Sequence, residues 1–459
     1  VIFAIIMAII SKFICCSHVT TSHKVPHQQT LYNTRVWNFE TLKKFYAYHP
    51  EEPEGFQTVI HPLFNQTLKP WHFRDAAKEL TLRTSPGRLW TKAGYKTKKA
   101  VLESEKGFAL LRRLNHNYKT KAVCKMPAVS VFNAKTSSAD GTKSRLVWPF
   151  PIDIIASEAM FCVPIIRMLV KSGKYVPSPE THHKMYCGSL SKGFDFSKFD
   201  SSVPAWLIKK AFSIVYGLFD LSKYAANEHT SEEKTPYDSN SLTRLFNRLE
   251  HYFIHTPHRV PNSERVIYKH HGVPSGSFFT NIIDTLCSYM VLNHLHKQQM
   301  CNATSITYGD DCHSANCTCD KTLIQMLAQK LGMKLTLEEP NNHGCLTYCK
   351  VECHHGRRFI PGVNFRNWIE NCNQKFRYQT AVCISLKATT IDQFMWARSE
   401  ALRLKPSKHI PLWLEKIVTS GLKYPVKHCD EPVDRELNMQ IVSKVLPKWA
   451  QRLRLKTRN

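Results

Sequence analysis

Residues 305–311 read Ser-Ile-Thr-Tyr-Gly-Asp-Asp and run on into Cys312-His313-Ser314-Ala315, so a Gly-Asp-Asp turn lies between two β-prone segments. Such a stretch folds as a hairpin with both carboxylates at its tip. Adjacent carboxylates repel each other, and presenting Asp310 and Asp311 together costs stability unless a cation neutralises them. Asp is common in turns, so this element alone specifies a hairpin and no chemistry.

Two further elements narrow the choice. A strand is expected over 193–200, with Phe194 and Phe196 on one face and Asp195 and Asp200 at its end. Asp195 facing Asp310 from a neighbouring strand would complete a hard-oxygen site for Mg²⁺. The alternative is a strand-end Asp followed by a helix N-cap, Asp200 or Ser201, ahead of Pro204. Farther along, Gly272-Val273-Pro274-Ser275-Gly276-Ser277-Phe278-Phe279-Thr280 leads into a helix. Phe279, Ile282, Ile283, Leu286, Tyr289 and Met290 form its apolar arc, and Thr280, Asp284 and Cys287 lie on an adjacent one. That pattern suits contact with a ribose and a template backbone, or equally an ordinary Gly loop and a capped core helix.

The chain has 459 residues, more than the ~250–300 at which one core stops growing, so two or three lobes are expected. Hydrophobic residues make up 43%, which excludes a mostly disordered chain. Lys and Arg total 63 against 36 acidic residues, a net charge of +27, which points to nucleic acid first and an anionic membrane surface second. The sixteen cysteines show no disulfide framework and read as reduced thiols of an intracellular protein, Cys162 and Cys287 inside apolar helices. Val1–Ile10 is apolar, lacks a basic lead and is shorter than a membrane span. It reads as upstream translated sequence or a truncated start, with Met7 a candidate initiator.

Along the chain, 1–34 reads as a poorly ordered extension and 84–99 as a basic, turn-like stretch. A Ser/Thr/Ala/Gly-rich loop is expected over 135–143, followed by a short extended segment from Arg145. A helix over 154–170 should break near Pro164, and another should open at Pro204 and run to about Phe219. The polar stretch 221–265 suits a surface insertion. A helix over 321–331 should carry Leu323, Ile324, Leu327 and Leu331 on one stripe and stop at Gly332. The last hundred residues look helical and end in a basic tail, Lys448–Arg458, read as a solvated face.

Taken jointly, Asp-x4-Asp, Ser-Gly-x3-Thr and Gly-Asp-Asp, in that order, resemble motifs A, B and C of the palm of viral RNA-dependent RNA polymerases. Lys143-Ser144-Arg145-Leu146-Val147-Trp148-Pro149-Phe150-Pro151, with Glu158 and Phe161 after it, resembles the basic fingertip motif of the partitivirus-like group, whose double-stranded RNA genomes are bisegmented. Thr84-Ser85-Pro86-Gly87 with Gly94-Tyr95-Lys96-Thr97-Lys98 is similar to that group's template-entry motif. The resemblance covers about 84–365.

It implies an α+β, right-hand polymerase whose fingers close onto a helical thumb: fingers over 35–190, palm over 191–220, a fingers insertion over 221–268, palm again over 269–365, and thumb with basic tail over 366–459. It implies two Mg²⁺ ions, with Mn²⁺ as a substitute, held by Asp195, Asp310 and Asp311. Lys143 and Arg145 would grip the triphosphate, and Asp200, Ser275, Gly276, Thr280 and Asp284 would surround the nucleotide. Ser85, Pro86, Gly87, Lys96 and Lys98 would meet RNA. The implied partners are template and product RNA, NTPs and a capsid protein; the implied location is the virion interior and host cytoplasm.

Some residues depart from the group's pattern. Cys312 stands where Ser is usual after Gly-Asp-Asp, and Asp284 stands where many RNA polymerases carry Asn. No general acid is assigned, because Lys334 is followed by no other Lys before Lys350. Leu346–Glu352 is expected as a hairpin strand with Gly356-Arg357-Arg358 at the turn. A zinc site at Cys345, Cys349, Cys353, His354 and His355 is weighed and set aside, because strand alternation would split the ligands. Cys312, Cys317 and Cys319 are set aside because thiolates beside Mg²⁺ sites would attract the wrong metal. Against a reverse transcriptase stand Asp200, and Pro274-Ser275-Gly276 in place of Pro-Gln-Gly. Against a non-enzymatic RNA-binding relic stand the three retained aspartates.

Overall fold

The computed structural model describes residues 39–138, 141–176, 179–188, 190–259, 265–340, 346–348, 351–354, 357–360, 365–366, 377–385, 388 and 390–404. The extension 1–34, the tail Lys448–Arg458, Cys345, Cys349, Lys350, His355 and Gly356 lie outside them. The chain divides into two compact units, one of 34–177 with 187–346 and the other containing 178–186 and 347–459. Among the described residues no helix is long and apolar enough to cross a membrane.

In chain order the first unit contains α1 (Arg88–Lys92), α2 (Lys98–Glu103), α3 (Glu105–Thr120), β1 (Phe132–Ser138), β2 (Gly141–Val147), α4 (Ile152–Ser172), β3 (Lys192–Phe196) and α5 (Phe199–Ser202). There follow α6 (Ala205–Gly217), α7 (Ser241–Ile254), α8 (Thr280–Gln298), β4 (Thr304–Tyr308), β5 (Asp311–Ala315), α9 (Lys321–Lys330) and β6 (Leu335–Glu338). Four strands form one antiparallel sheet in the order β4-β5-β3-β6.

Helix α4 differs from expectation in running unbroken through Pro164. Proline cannot donate to the carbonyl four residues back. That carbonyl, on Met160, instead accepts the Trp71 N–H at 2.8 Å, so no buried acceptor is left over. The 84–99 stretch, expected as turns, contains α1 and the start of α2, whose N-cap is the Thr97 hydroxyl, accepting from the Ala100 N–H. The expected loop over 135–143 is instead part of a β-ribbon, β1 pairing with β2 from Phe132↔Val147 to Ser138↔Gly141.

The 221–265 stretch is no mere surface insertion. Helix α7 within it buries eight of its fourteen residues. Phe246 meets Phe161 of α4 and Phe212 of α6 edge-on, with ring centroids 5.2 and 5.9 Å apart. On its other face Arg244 Nε donates to Lys119 O at 2.7 Å and Arg248 Nη2 to Ala122 O at 2.8 Å. These cations cap the orphan carbonyls at the end of α3. Part of the chain's positive charge is therefore structural.

Helix α9 begins at Asp320, whose carboxylate accepts the Leu323 N–H, and ends before Gly332 at φ +76°. Of its expected apolar stripe, Ile324 and Leu331 are buried, whereas Leu323 is 43% exposed. Cys162 and Cys287 are free thiols buried in α4 and α8.

In the other unit, a helix over Pro179–Tyr186 packs on a ribbon of Glu352–His354 and Arg357–Phe359, Tyr186 stacking edge-on with Tyr348. The ribbon register, His354↔Arg357, puts Arg357 and Arg358 on the second strand, not at the turn, and starts the first strand at Glu352. Helices Arg377–Ser385 and Ile391–Arg403 follow.

Candidate active site

The central sheet brings the three aspartates together. Strand β3 pairs with β5 as far as Phe194↔Cys312, which sets Asp195 one residue farther on, beside the end of β5 that carries Asp311 and adjoins Asp310. Asp310 sits in the two-residue turn, beside Gly309 at φ +66°, where a glycine is favoured. All three carboxylates are exposed, while Phe194 and Phe196, flanking Asp195, are buried. Strand alternation is the cause: the phenylalanines take the core face and the acid takes the other.

The hairpin tip is gripped by α8. The Thr285 hydroxyl accepts the Gly309 N–H at 2.9 Å, Ser288 Oγ donates to Gly309 O at 2.8 Å, and Thr307 Oγ1 donates to Thr285 O at 2.9 Å. Thr285 and Ser288 are fully buried. Sequence reasoning missed them, although two hydroxyls three apart on a helix otherwise rich in apolar residues were the available signal. Helix α8 is buried on nearly every side, so the two-arc reading of it was too simple.

Asp200 reaches the site by a sharp reversal. Lys198 adopts φ +57°, uncommon for a residue with a side chain, and α5 follows directly. Helix α6 is entered from Pro204, so Asp200 does not cap it. The Asp200 carbonyl accepts the Val273 N–H at 2.6 Å, and a Cβ on Gly272 would come within 2.6 Å of that same oxygen. Asp284 is buried with Oδ1 unpartnered. Its carboxyl is pushed well above the usual range by burial and then by the charges of Asp200 and Asp310.

The loop 272–280 is locked from three sides. Ser275 Oγ accepts the Trp148 N–H at 3.3 Å and reaches Leu146 O at 3.5 Å. A Cβ on Gly276 would fall 1.7 Å from Trp148 O, so only glycine fits there. Thr280 Oγ1 donates back to Pro274 O at 2.7 Å, which closes the loop. From α4, Glu158 takes the Ser277 hydroxyl at 2.8 Å and the Phe278 N–H at 2.7 Å. Glu158 is fully buried, and burial raises its carboxyl to about 8 against the pull of those two bonds and of Lys98. Lys269, also fully buried, donates to Ile254 O, His271 O and Gly272 O, and burial holds its ammonium well below the usual range. Nothing local in the sequence marked Lys269, because its partners come from the surrounding fold.

Other expected site residues are placed as follows. Lys143 and Arg145 lie on β2, paired with Thr136 and Ala134, on the strand that ends at the Ser275 contact; their side chains lie outside the described residues. Ser85 and Lys96 are exposed. Pro86 and Gly87 are buried: Pro86 O accepts the Ile152 N–H, and a Cβ on Gly87 would meet Pro151 at 2.8 Å. Lys98 is only 7% exposed and lies beside Glu158, so an RNA contact expected of it is not available in this structure.

The site has the charge and donors that a hard cation requires. Three neighbours register its concentrated negative charge. The Cys312 thiol is raised by burial and by Asp310, Asp311 and Asp195; Glu338 is raised by burial and by Asp195; Asp284 responds as described. The exposed donors gathered at these adjoining strand ends are carboxylate oxygens, the ligand type that Mg²⁺ takes.

Comparisons with known proteins bear on the family and the fold. The family model for viral RNA-dependent RNA polymerase matches residues 26–355. The RNA-directed RNA polymerase of Cryptosporidium parvum virus 1 is 29% identical over 163 residues, 33% of this chain and 27% of the relative's length. The RNA-dependent RNA polymerase of a human picobirnavirus superposes with a TM-score of 0.57 at 14% identity, covering 83% of this chain and 76% of that one. Its insertion-loop deletion mutant gives 0.58 at 14% identity, covering 83% and 78%. These neighbours establish the right-hand polymerase fold for this mixed α and β chain. The chain belongs to the viral RNA-dependent RNA polymerases, a family of RNA-directed nucleotidyltransferases.

Proposed function

We propose that the chain is the RNA-directed RNA polymerase of a double-stranded RNA virus, replicating and transcribing the genome from NTPs with release of pyrophosphate. The observation that carries this reading is the convergence of Asp195, Asp310 and Asp311 at adjoining exposed strand ends. Two Mg²⁺ ions held there, with Mn²⁺ as a substitute, about 4 Å apart, would activate a 3′-hydroxyl and stabilise the leaving pyrophosphate in an in-line displacement.

The remaining residues bind and orient. Asp200, with its backbone fastened to Val273, faces the ribose and accepts from the 2′-hydroxyl, with Ser275 beside it. Gly276 lets the loop lie against the end of β2, the strand on which Lys143 and Arg145 grip the triphosphate. Thr280 acts by holding the loop closed, and Asp284, near Asp200 and Asp310, completes the surroundings of the nucleotide. Ser85 and Lys96 are the template-entry residues with exposed positions to support the role. The polymerase works in the virion interior and host cytoplasm beside capsid protein.

Incorporation of labelled ribonucleotides on a single-stranded RNA template in Mg²⁺ tests the reading. Template-dependent product of full length supports it; binding of RNA with no incorporation under any divalent cation refutes it. Preference for deoxynucleotides would favour a reverse transcriptase.

A further inference from the structure

At the end of α8 remote from Asp284, and past the end of β5 remote from Asp311, lies a second cluster of metal-ligating side chains. His296 is in the last turn of α8, and Cys317 and Cys319 follow β5 ahead of α9. Their ligand atoms all lie within 4.8 Å of one another, with Cys317 Sγ 3.9 Å from His296 Nε2. Ligand atoms around a tetrahedral zinc, with Zn–S ~2.3 Å and Zn–N ~2.0–2.1 Å, stand roughly 3.5–3.8 Å apart. Cys301 borders the trio: its Sγ accepts the Thr318 N–H at 3.3 Å, and its free thiol neighbours that of Cys319. All four residues are buried, none more than 6% exposed.

The surroundings are arranged as a metal site requires. His296 Nδ1 contacts Ser305 Oγ at 3.4 Å, and Ser305 in turn contacts Ser314 Oγ at 2.8 Å, which orients the ring with Nε2 toward the sulfurs. Lys192 Nζ donates to Cys319 O at 3.1 Å and offsets surplus negative charge. Cys312 is not part of the cluster; it lies with the aspartates at the other end of β5. The sequence-based objection, that thiolates here would compete with Mg²⁺, therefore falls away for Cys317 and Cys319.

We infer that His296, Cys301, Cys317 and Cys319 form a structural zinc site that pins the end of α8 to the segment after β5. Three thiols lose their protons on binding, and Cys301 closes the set by turning its side chain toward the other three. The site fixes, from their far ends, the two elements that carry Asp284 and Asp311.

The test uses the full chain, purified reduced and without added metal, with zinc content measured by mass spectrometry and ligands by X-ray absorption. The expected result is about one zinc per chain, with about three sulfurs at ~2.3 Å and one nitrogen at ~2.0–2.1 Å. Cys319→Ser and His296→Gln should lose that zinc, whereas Cys124→Ser and Cys353→Ser should keep it. A folded wild-type chain without zinc, or with a Cys317–Cys319 disulfide instead, would overturn the inference. So would zinc that survives both ligand variants or departs with Cys353→Ser. The absorption spectrum of the wild-type chain decides the matter even if the variants fail to fold.

Discussion

The carboxylate tip and the loop beside it are built on opposite principles. Asp195, Asp310 and Asp311 are exposed, rigid through their backbones and crowded with like charge. The 272–280 loop is held by buried polar groups, Glu158 and Lys269, and by a backbone approach that only Gly276 permits. The first region sacrifices stability to hold charge ready for a cation. The second supplies the stiffness that makes this tolerable. Substitutions should separate the two: chemistry lost with the fold intact at the tip, fold and chemistry lost together in the loop.

The largest effect is expected at the tip. Asp310→Asn and Asp195→Asn should each lower nucleotide incorporation by roughly 10³-fold or more, beyond the ~10–100-fold typical of an outer-shell partner. RNA affinity should stay as in the wild type and the unfolding midpoint should stay or rise, because removing one of several like charges relieves repulsion. Parallel filter-binding, melting and incorporation assays check this; an equal loss of RNA affinity would erase the contrast.

Next comes Gly276→Ala. Its Cβ would overlap the Trp148 carbonyl, which is backbone and has little room to yield. Turnover should fall by ~10²-fold, the scale of a 1 Å misplacement at a reacting centre. The unfolding midpoint should fall with it, unlike at the tip. A normal midpoint with normal turnover would show that the loop is not held as described.

Asp200 stands at the junction of the two regions and should affect selectivity more than rate. Asp200 is exposed in this structure; once a bound nucleotide encloses it, an unpaired acceptor costs up to ~1–3 kcal/mol, so Asp200→Ala should narrow the ribo- to deoxynucleotide ratio by at most about 5- to 150-fold. The readout is kcat/KM for matched nucleotides on one RNA template. An unchanged ratio in a folded variant would remove Asp200 from the sugar site.

The smallest effect on turnover is expected at Glu158, whose signature is a pH dependence. Its folded pKa, about 8, is raised above the ordinary 4.5, so between those values the folded chain binds more protons than the unfolded one. Its contribution to stability is therefore complete below pH 4.5 and falls as pH rises toward 8, by at most ~1.4 kcal/mol per pH unit. Denaturation of the wild type across pH 5–8 should show this slope, and Glu158→Gln should flatten it. Parallel curves would mean that the carboxyl does not titrate in that window.

The same contrast governs what the sequence reveals. The hairpin at Gly309–Asp310 and the Gly276 loop are coded by short local patterns and fold as those patterns predict, whereas the strand expected over 193–200 ends at Phe196, because Lys198 at φ +57° turns the chain into α5. Strand order is not local, and no short pattern shows that β3 lies between β5 and β6. The unbroken α4 depends on Trp71 satisfying Met160 O, and the β1–β2 ribbon has a Ser- and Thr-rich composition that reads as a loop. Glu158, Lys269, Thr285 and Ser288 acquire their roles only when distant elements close around them. Buried polar support is long-range by nature and leaves no short motif.

The most direct test of the carboxylate site replaces Mg²⁺ with Fe²⁺ and maps where ascorbate and peroxide cut the backbone. Radicals form at the bound iron, so cleavage reports metal position without requiring turnover. The account predicts cuts within 195–200 and 309–312, suppressed by excess Mg²⁺ and abolished together by Asp310→Asn. Cuts that ignore both the Mg²⁺ and the substitution, or that fall only elsewhere in the chain, would contradict it.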